Sequence, residues 1–593
     1  MQNKIDLTEL YESDDKFLKA LNKLTKDIKK YSKYEGKLFS SPETLYEYFT
    51  FDTNYSKELQ RLYIYAHINN DLDLDNAKYQ EYYGKVINLI NELRLASSYV
   101  IPEILSHDYN EFKDFLKDYP VLKEYKLNIK RIFRNKKIIL SKEEESLINL
   151  LTSTYDKPEE ISEMLINTDL NYGYIKDENN NDALLTNSNY ANYLQSNNRS
   201  VRQNAFKAMY KEFASHGNTF ASILATKIIN DNKISKIRKF KTARALSLYQ
   251  NEIDNNIYDS LISGITRNLP KFYPYYEFKQ KALNLDDFHL YDTYANITKE
   301  YDEEYSYDEA KNIILKALNI LGDDYIKVLK KAFDNNWIDS RICKTKRSGA
   351  YCTSAYVTHP YVVCSFENKL ENISTLAHEL GHAMHYYYAQ INNAFQDYDY
   401  SIFVAEVASQ VNEIILTDYL LKNSKDIEEK KYLLDTILNR FKATIIRQTM
   451  FAEFEDKLHV LEQKGNILTK DLITETYYDL NKKYFGKNVI VDENIKYECF
   501  RIPHFYYDFY VYQYATGYIA AMKIATDLIN NVPNSLDNYL KFLSLGSTKD
   551  PVSSLKVAGV DMQDNNIYNE VFEVFNQRLA ELKELYEEGE VNG

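Results

Sequence analysis

The 593-residue chain is poor in residues that interrupt helices, with 15 glycines and 10 prolines, well below their usual combined share of about 12%. Few breakers and long amphipathic runs predict a mainly helical protein. Cysteine is scarcer still: Cys343, Cys352, Cys364 and Cys499 are the only four, and no two form a C-x-x-C pair. That excludes a disulfide scaffold and predicts buried free thiols. Positive charge is in deficit, with 73 Lys and Arg against 87 Asp and Glu and a formal net charge of −14. Nucleic acid and anionic membrane both require basic patches, so neither is expected as a partner. No apolar run reaches the roughly 18 residues of a membrane span, and residues 1–12 lack a basic segment followed by an apolar one. A cytoplasmic protein is therefore expected. A chain of 69.8 kDa exceeds one ordinary domain and predicts at least two lobes. Tyrosine, by contrast, is so abundant, at 55 residues, that aromatic clusters carry little weight.

Histidine is also sparse, yet three of the ten fall in Leu376-Ala-His-Glu-Leu-Gly-His-Ala-Met-His385. Within it His378, Glu379 and His382 form an H-E-x-x-H motif. On a helix, positions i and i+4 share one face, so both imidazoles can point at one metal ion. Glu379 projects beside them, where its carboxylate can take a proton from a metal-activated water. Chance alone produces such a motif on the order of once per hundred chains of this composition, so the context has to support it. Leu376, Ala377, Leu380, Ala383 and Met384 supply apolar positions at helical spacing. Gly381, which costs roughly 1 kcal/mol relative to Ala inside a helix, points to a close approach by substrate backbone or by another helix.

Residues 1 to about 170 read as successive helices, one of them over Tyr79–Tyr99 with Val86, Ile87, Leu89, Ile90, Leu93 and Leu95 at helical spacing. The Asp- and Asn-rich stretch from Lys176 to Arg199 marks a boundary or surface loop, giving an N-terminal helical lobe at 1–195 and a catalytic domain at 196–593. Between Trp337 and Phe366 the texture shifts to short runs of Val, Tyr, Thr and Cys flanked by Gly349-Ala-Tyr351 and His359-Pro-Tyr361, which suits a small sheet. Pro360 fits the beginning of a strand, or an edge strand. An edge strand just before the motif helix can pair with an extended peptide, and a purely structural hairpin is the plainer alternative.

A catalytic zinc commonly has three protein ligands and one open position. His385 shares the helical face of the first two, but it lies about 7 to 8 Å along the axis from their midpoint at 1.5 Å per residue, too far for joint coordination. Glu406 competes, in Phe403-Val-Ala-Glu-Val-Ala-Ser-Gln-Val-Asn-Glu413, where Val404, Val407, Val411, Ile414 and Ile415 mark a second helix. A solvated glutamate is the ordinary alternative for Glu406. Glu413 is a candidate to orient a ligand histidine from behind.

Leu376–His385 and Phe403–Gln410, together with Arg501-Ile-Pro-His-Phe-Tyr-Tyr-Asp-Phe-Tyr-Val-Tyr-Gln-Tyr-Ala-Thr-Gly517 and His359-Pro-Tyr361, resemble the thimet oligopeptidase-like zinc peptidases, and within them the oligoendopeptidase F group. The resemblance covers residues 200 to 580 with specific motifs, and the N-terminal lobe only in length and helical character. It implies a bilobed, all-helical zincin-like fold with a deep central channel and a small β-sheet next to the zinc helix. One Zn²⁺ per chain would be held by His378, His382 and Glu406, with Glu379 as general base and acid. The implied substrates are short unstructured oligopeptides cut at internal bonds. His504, Tyr507 and Tyr514 are the implied oxyanion and substrate donors, the two tyrosines being seven apart and expected on one helical face. His504 stands nearer to Tyr507 than the family form has it. His359, Tyr361 and Gly349 are expected to contact substrate.

Three rivals stand beside this reading. A di-iron carboxylate bundle needs a second E-x-x-H, which the chain lacks. A non-catalytic helical protein with a structural zinc would normally use four protein ligands. A helical zinc carboxypeptidase would need a cation for the substrate's terminal carboxylate, for which Arg347 or Arg501 could serve.

Overall fold

A computed structural model describes residues 4–299 and 301–592. Many of its helices begin where the sequence supplies side-chain caps. Ser13, Ser41, Thr242 and Thr469 each accept a hydrogen bond from a backbone N–H of the first turn. Asp108 with Glu111, Ser141 with Glu144 and Ser306 with Glu309 form reciprocal capping boxes. These caps satisfy donors that the helical ladder leaves orphaned. The mainly helical architecture expected from the scarcity of breakers is what the chain adopts, with only small sheets among the described residues.

The chain condenses into two compact units, each assembled from three stretches. The first comprises residues 1–137, 302–422 and 524–560. Its opening helices, among them Asp14–Asp27, Pro42–Leu72 and Ala77–Ala96, bury Phe17, Leu21, Leu45, Leu62, Val86 and Leu89 in one core. In the Ala77–Ala96 helix Val86 and Leu89 are buried as their spacing predicts, whereas Leu95 is 77% exposed.

Five short strands occur among the described residues: β1 (Tyr174–Lys176), β2 (Asp182–Leu184), β3 (Ile338–Asp339), β4 (Tyr351–Ser354) and β5 (Pro360–Val363). The last three form the sheet of the first unit in the order β3-β5-β4, β3 parallel and β4 antiparallel to β5. Pro360 opens the central strand, so the strand just before the motif helix is not the expected edge, and the proline is tolerated because it stands at the first position. Tyr361 and Val363 join the core of the N-terminal helices. A buried ammonium closes the loop between β3 and β4: Lys346 Nζ donates to Asp339 Oδ1 at 2.8 Å and to the carbonyls of Arg341 at 2.9 Å and Cys364 at 2.5 Å. All four thiols are free, but Cys343 is exposed, so the expectation of burial fails there because it sits in this loop.

The second unit comprises residues 138–301, 423–523 and 561–593. The Asp- and Asn-rich stretch forms the exposed turn between β1 and β2, with the Asp177 carboxylate accepting from the N–H groups of Asn179 and Asn181. Burial here is unusually polar. Arg202 meets Asp292 at 2.7 Å with both side chains nearly inaccessible. Glu498 accepts from Arg447 at 2.9 Å, Tyr210 at 2.9 Å and Tyr477 at 2.5 Å. These bonds onto one buried carboxylate fix the Glu493–Phe500 segment, which leads directly into His504.

Candidate metal centre and catalytic groups

The motif lies in the Leu370–Asn392 helix, whose Leu376, Ala377, Leu380, Ala383 and Met384 are buried, and which packs on β4 and β5. The second helix predicted around Glu406 is present but broken. A single turn, Ile402–Ala405, ends at Glu406, and the main helix runs Val407–Asn423. Val404, Val407, Val411 and Ile415 are buried as their spacing predicts.

Gly381 explains how the two helices come together. A Cβ built there would stand 2.5 Å from Ser409 Cα and 2.7 Å from Ala408 O, so the close approach is by the second helix. Asn412 Nδ2 ties the contact by donating to Ala377 O at 3.1 Å. Gly381→Ala would press a side chain against backbone that cannot rotate away. The expected result is destabilisation at the upper end of the overpacking range of about 1–3 kcal/mol, and weaker uptake of added zinc because Glu406 and Glu413 move with that helix. A thermal melt and a zinc titration check this, and wild-type values in both would refute the contact.

His378 Nε2 lies 3.2 Å from His382 Nε2 and 3.3 Å from Glu406 Oε2, and His382 Nε2 lies 3.5 Å from the same oxygen. His378, His382 and Glu406 thus offer one ligand atom each within 4.8 Å of one another. Behind them Glu413 Oε1 meets His378 Nδ1 at 2.6 Å, and Ser374 Oγ donates to Glu413 Oε2 at 3.1 Å. Ser409 Oγ donates to Glu406 Oε2 at 3.2 Å.

The donor set fits a cation. With the Nδ1 proton of His378 committed to Glu413, a neutral ring turns the Nε2 lone pair toward a second imidazole nitrogen and a carboxylate oxygen. Three acceptors converging at these distances need positive charge between them. Without an ion, that demand falls on protons. Burial disfavours a charged His378, but hydrogen bonds to Glu406 and Glu413 outweigh it and push its pKa up to about 10. The same two histidines hold the Glu406 carboxyl well below the usual range. Imidazole and carboxylate with no thiolate suit zinc.

Glu379 is 6% exposed. Burial raises its pKa above the ordinary glutamate value, with His382 and His378 pulling the other way, a setting that makes a carboxylate a better proton acceptor. His385 is excluded from the cluster: it is 1% exposed, stacks on Tyr400 with ring centroids 3.6 Å apart, and burial depresses its pKa to about 3.

The structure packs two of the expected substrate contacts against their neighbours. Tyr361 has no exposed surface and packs in the core. His359 stacks on Trp337 at 4.6 Å, donates from Nδ1 to Pro360 O at 2.8 Å and meets Glu9 at 3.2 Å. Tyr361 lies in the central strand β5 and His359 immediately before it, so both side chains are taken up by these contacts. Gly349 stands in an exposed turn with φ +92° just before the edge strand β4.

In the second unit His504 Nε2 and Tyr514 Oη are 3.2 Å apart, and the His504 and Tyr507 rings are 5.5 Å apart. The expectation that Tyr507 and Tyr514 share one helical face is wrong. Tyr507 ends the Pro503–Tyr506 turn, the next helix begins at Tyr512, and Asp508 and Phe509 between them have φ of 48° and 61°. Arg501, a rival's anchor for a terminal carboxylate, is committed to Asn187 at 3.1 Å and to the Tyr190 ring at 5.0 Å. The supports missed from sequence are Ser374, Ser409 and Asn412. Ser374, four residues before His378 and so on its helical face, was the one findable by spacing.

Comparison with known proteins agrees with this chemistry. Residues 192–574 match peptidase family M3, and residues 103–172 match the family described as Oligopeptidase F. Oligopeptidase PepF of Bacillus subtilis is 39% identical over 579 residues, covering 98% of this chain and 86% of that protein. The crystal structure of a Chlamydophila abortus protein superposes with a TM-score of 0.94 at 31% identity, covering 98% of each chain. Oligoendopeptidase-F from Enterococcus faecium superposes with a TM-score of 0.74 at 33% identity, covering 97% of this chain and 99% of that one. The chain belongs to peptidase family M3, within its oligoendopeptidase F group, and is a metallo-endopeptidase.

Proposed function

We propose that the protein is a zinc-dependent oligoendopeptidase that cuts internal bonds of short, unstructured peptides with Glu379 as general base. The observation that carries this is the convergence of His378, His382 and Glu406 on one point, with buried Glu379 on the same helix. One zinc ion held by those three residues would supply a Lewis acid for the scissile carbonyl and lower the pKa of water to about 7.

The chain's own groups do the rest. Glu379 accepts the proton that the attacking water gives up and returns it to the departing amine. Glu413 keeps the His378 tautomer fixed, and Ser374 steadies Glu413. The outer edge of β4 offers backbone groups for pairing with an extended peptide. Tyr514, paired with His504, is assigned to donate to the oxyanion, and Tyr507 to position substrate. Free thiols and a net acidic chain suit a reducing, cytoplasmic setting.

The test uses one short peptide with a free or an amidated C-terminus, digested by chelator-treated and by zinc-reloaded protein. Mass spectrometry is expected to show internal cleavage of both forms by the reloaded protein at one zinc per chain, and none after zinc removal. Release of C-terminal residues only, abolished by amidation, would make the protein a carboxypeptidase. Hydrolysis that survives zinc removal would overturn the metal assignment.

A further inference from the structure

Between His504 and Tyr514 the chain turns through two successive residues in the left-handed region, Asp508 at φ 48° and Phe509 at φ 61°. Neither is glycine, and such residues persist only where their surroundings impose the conformation. The surroundings here are specific. Phe509 N–H donates to Glu455 Oε1 at 2.7 Å, and Ser247 Oγ donates to Asp508 O at 2.6 Å. The Asp508 carboxylate pairs with Lys227, which also meets Asp231 at 2.5 Å.

Asp231 in turn meets His459 Nε2 at 3.2 Å, while His459 Nδ1 donates to Glu455 O at 2.8 Å. The His459 ring lies 4.6 Å from that of Phe509. Glu455 is 3% exposed, and burial pushes its carboxyl up to about 8, so the acceptor of the Phe509 N–H is close to neutral. The Phe509 ring is packed, at 2% exposed, whereas the Asp508 side of the turn is open. A cavity of about 140 Å³ lies there, lined by Tyr155, Lys227, Asp231, Ser247, Asp508 and Phe509. Once its bonds are cut, the turn has room to relax.

We infer that Glu455, with Lys227 and Asp508, is a positioning element that imposes the left-handed turn and thereby sets the 3.2 Å pairing of His504 with Tyr514. These three residues act through the turn and touch neither substrate nor metal. The inference rests on the assignment of Tyr514 as an oxyanion donor, and the experiment separates the two.

In the full-length, zinc-loaded protein, Glu455→Leu removes the acceptor and Glu455→Gln keeps it, so the glutamine variant serves as the rescue. With a quenched fluorescent peptide as substrate, Glu455→Leu is expected to lower kcat about 10- to 100-fold with KM and zinc content within about 3-fold of wild type. Glu455→Gln is expected to stay within about 3-fold of wild type in kcat. Asp508→Asn, altered at an exposed side chain, is expected to lower kcat about 3- to 10-fold and gives a reading if Glu455→Leu fails to fold. Hydrogen exchange of the segment around 505–512 is expected to quicken in Glu455→Leu and not in Glu455→Gln.

Added to Tyr514→Phe, Glu455→Leu is expected to cost less than about 3-fold more, because the group it positions is already gone. If Tyr514→Phe lowers kcat while Glu455→Leu and Asp508→Asn leave it unchanged, the positioning inference fails and the donor assignment stands. If Tyr514→Phe leaves kcat unchanged, the donor assignment fails. Full additivity of the two substitutions, or a loss in Glu455→Gln equal to that in Glu455→Leu, would also overturn the inference.

Discussion

Glu379→Gln is expected to bind one zinc per chain and to lose about 10³- to 10⁴-fold in kcat, the upper part of the range for removing a general acid–base group. The argument is geometric. Glu379 is adjacent in sequence to His378, yet it is absent from the set of converging ligand atoms, which among the described residues comprises His378, His382 and Glu406. Replacing its carboxylate by an isosteric amide therefore removes a proton acceptor and leaves the ligands alone. Its surroundings sharpen the prediction. Burial raises the Glu379 pKa, and the residue is only 6% exposed, so a lost carboxylate is not readily replaced by solvent. Zinc content by atomic absorption and steady-state peptide hydrolysis give the two readouts. Turnover near wild type at full zinc content would remove Glu379 as the base. A loss that tracks missing zinc would make it a ligand support instead.

Much of the candidate metal centre could be read from the sequence because helical geometry is rigid. Once residues 376–385 are helical, His378 and His382 must share a face, and His385 must lie too far along the axis. Glu406 was also accessible, through the apolar spacing of Val404, Val407, Val411 and Ile415, all of which are buried. That it stands at a break between two helices was not, since no proline or glycine marks the break. Gly381 posed a question that only packing could answer, and the answer is Ser409 of the neighbouring helix.

The β region was less legible. A run of Val, Tyr and Cys announces strands but not their order. With β5 central, Tyr361 faces a core built by residues more than 200 positions earlier in the chain, a contact that local pattern does not reveal. Tyr507 and Tyr514 misled for a related reason. Seven residues suggest two helical turns, whereas a pair of left-handed residues held by Glu455 and Lys227 leaves no trace in the composition of the turn itself.

Tyr514→Phe is expected to lower kcat about 10²- to 10³-fold, the usual cost of one oxyanion donor, with KM, zinc content and melting temperature nearly unchanged. The substitution deletes one oxygen and keeps the ring, so the edge contact with Tyr510, at 5.3 Å between centroids and 85°, survives. The pairing with His504 says how the phenol can act. Burial lowers the His504 pKa, which favours the neutral ring. A neutral ring carrying its proton on Nε2 donates to Tyr514 Oη, so the phenol proton is not used up in the pair and can follow the charge that develops on the scissile oxygen. The reverse tautomer would consume that proton and disable the donor, which makes His504 a partner in the same function. A loss confined to kcat is what separates this role from ground-state binding, because a donor that matters only as charge develops leaves KM in place. Tyr514→Phe in the His504→Ala background is then expected to cost far less than in the wild type. An unchanged kcat in Tyr514→Phe, or a rise in KM that accounts for the whole loss, would move the donor role to another residue of the 504–518 segment.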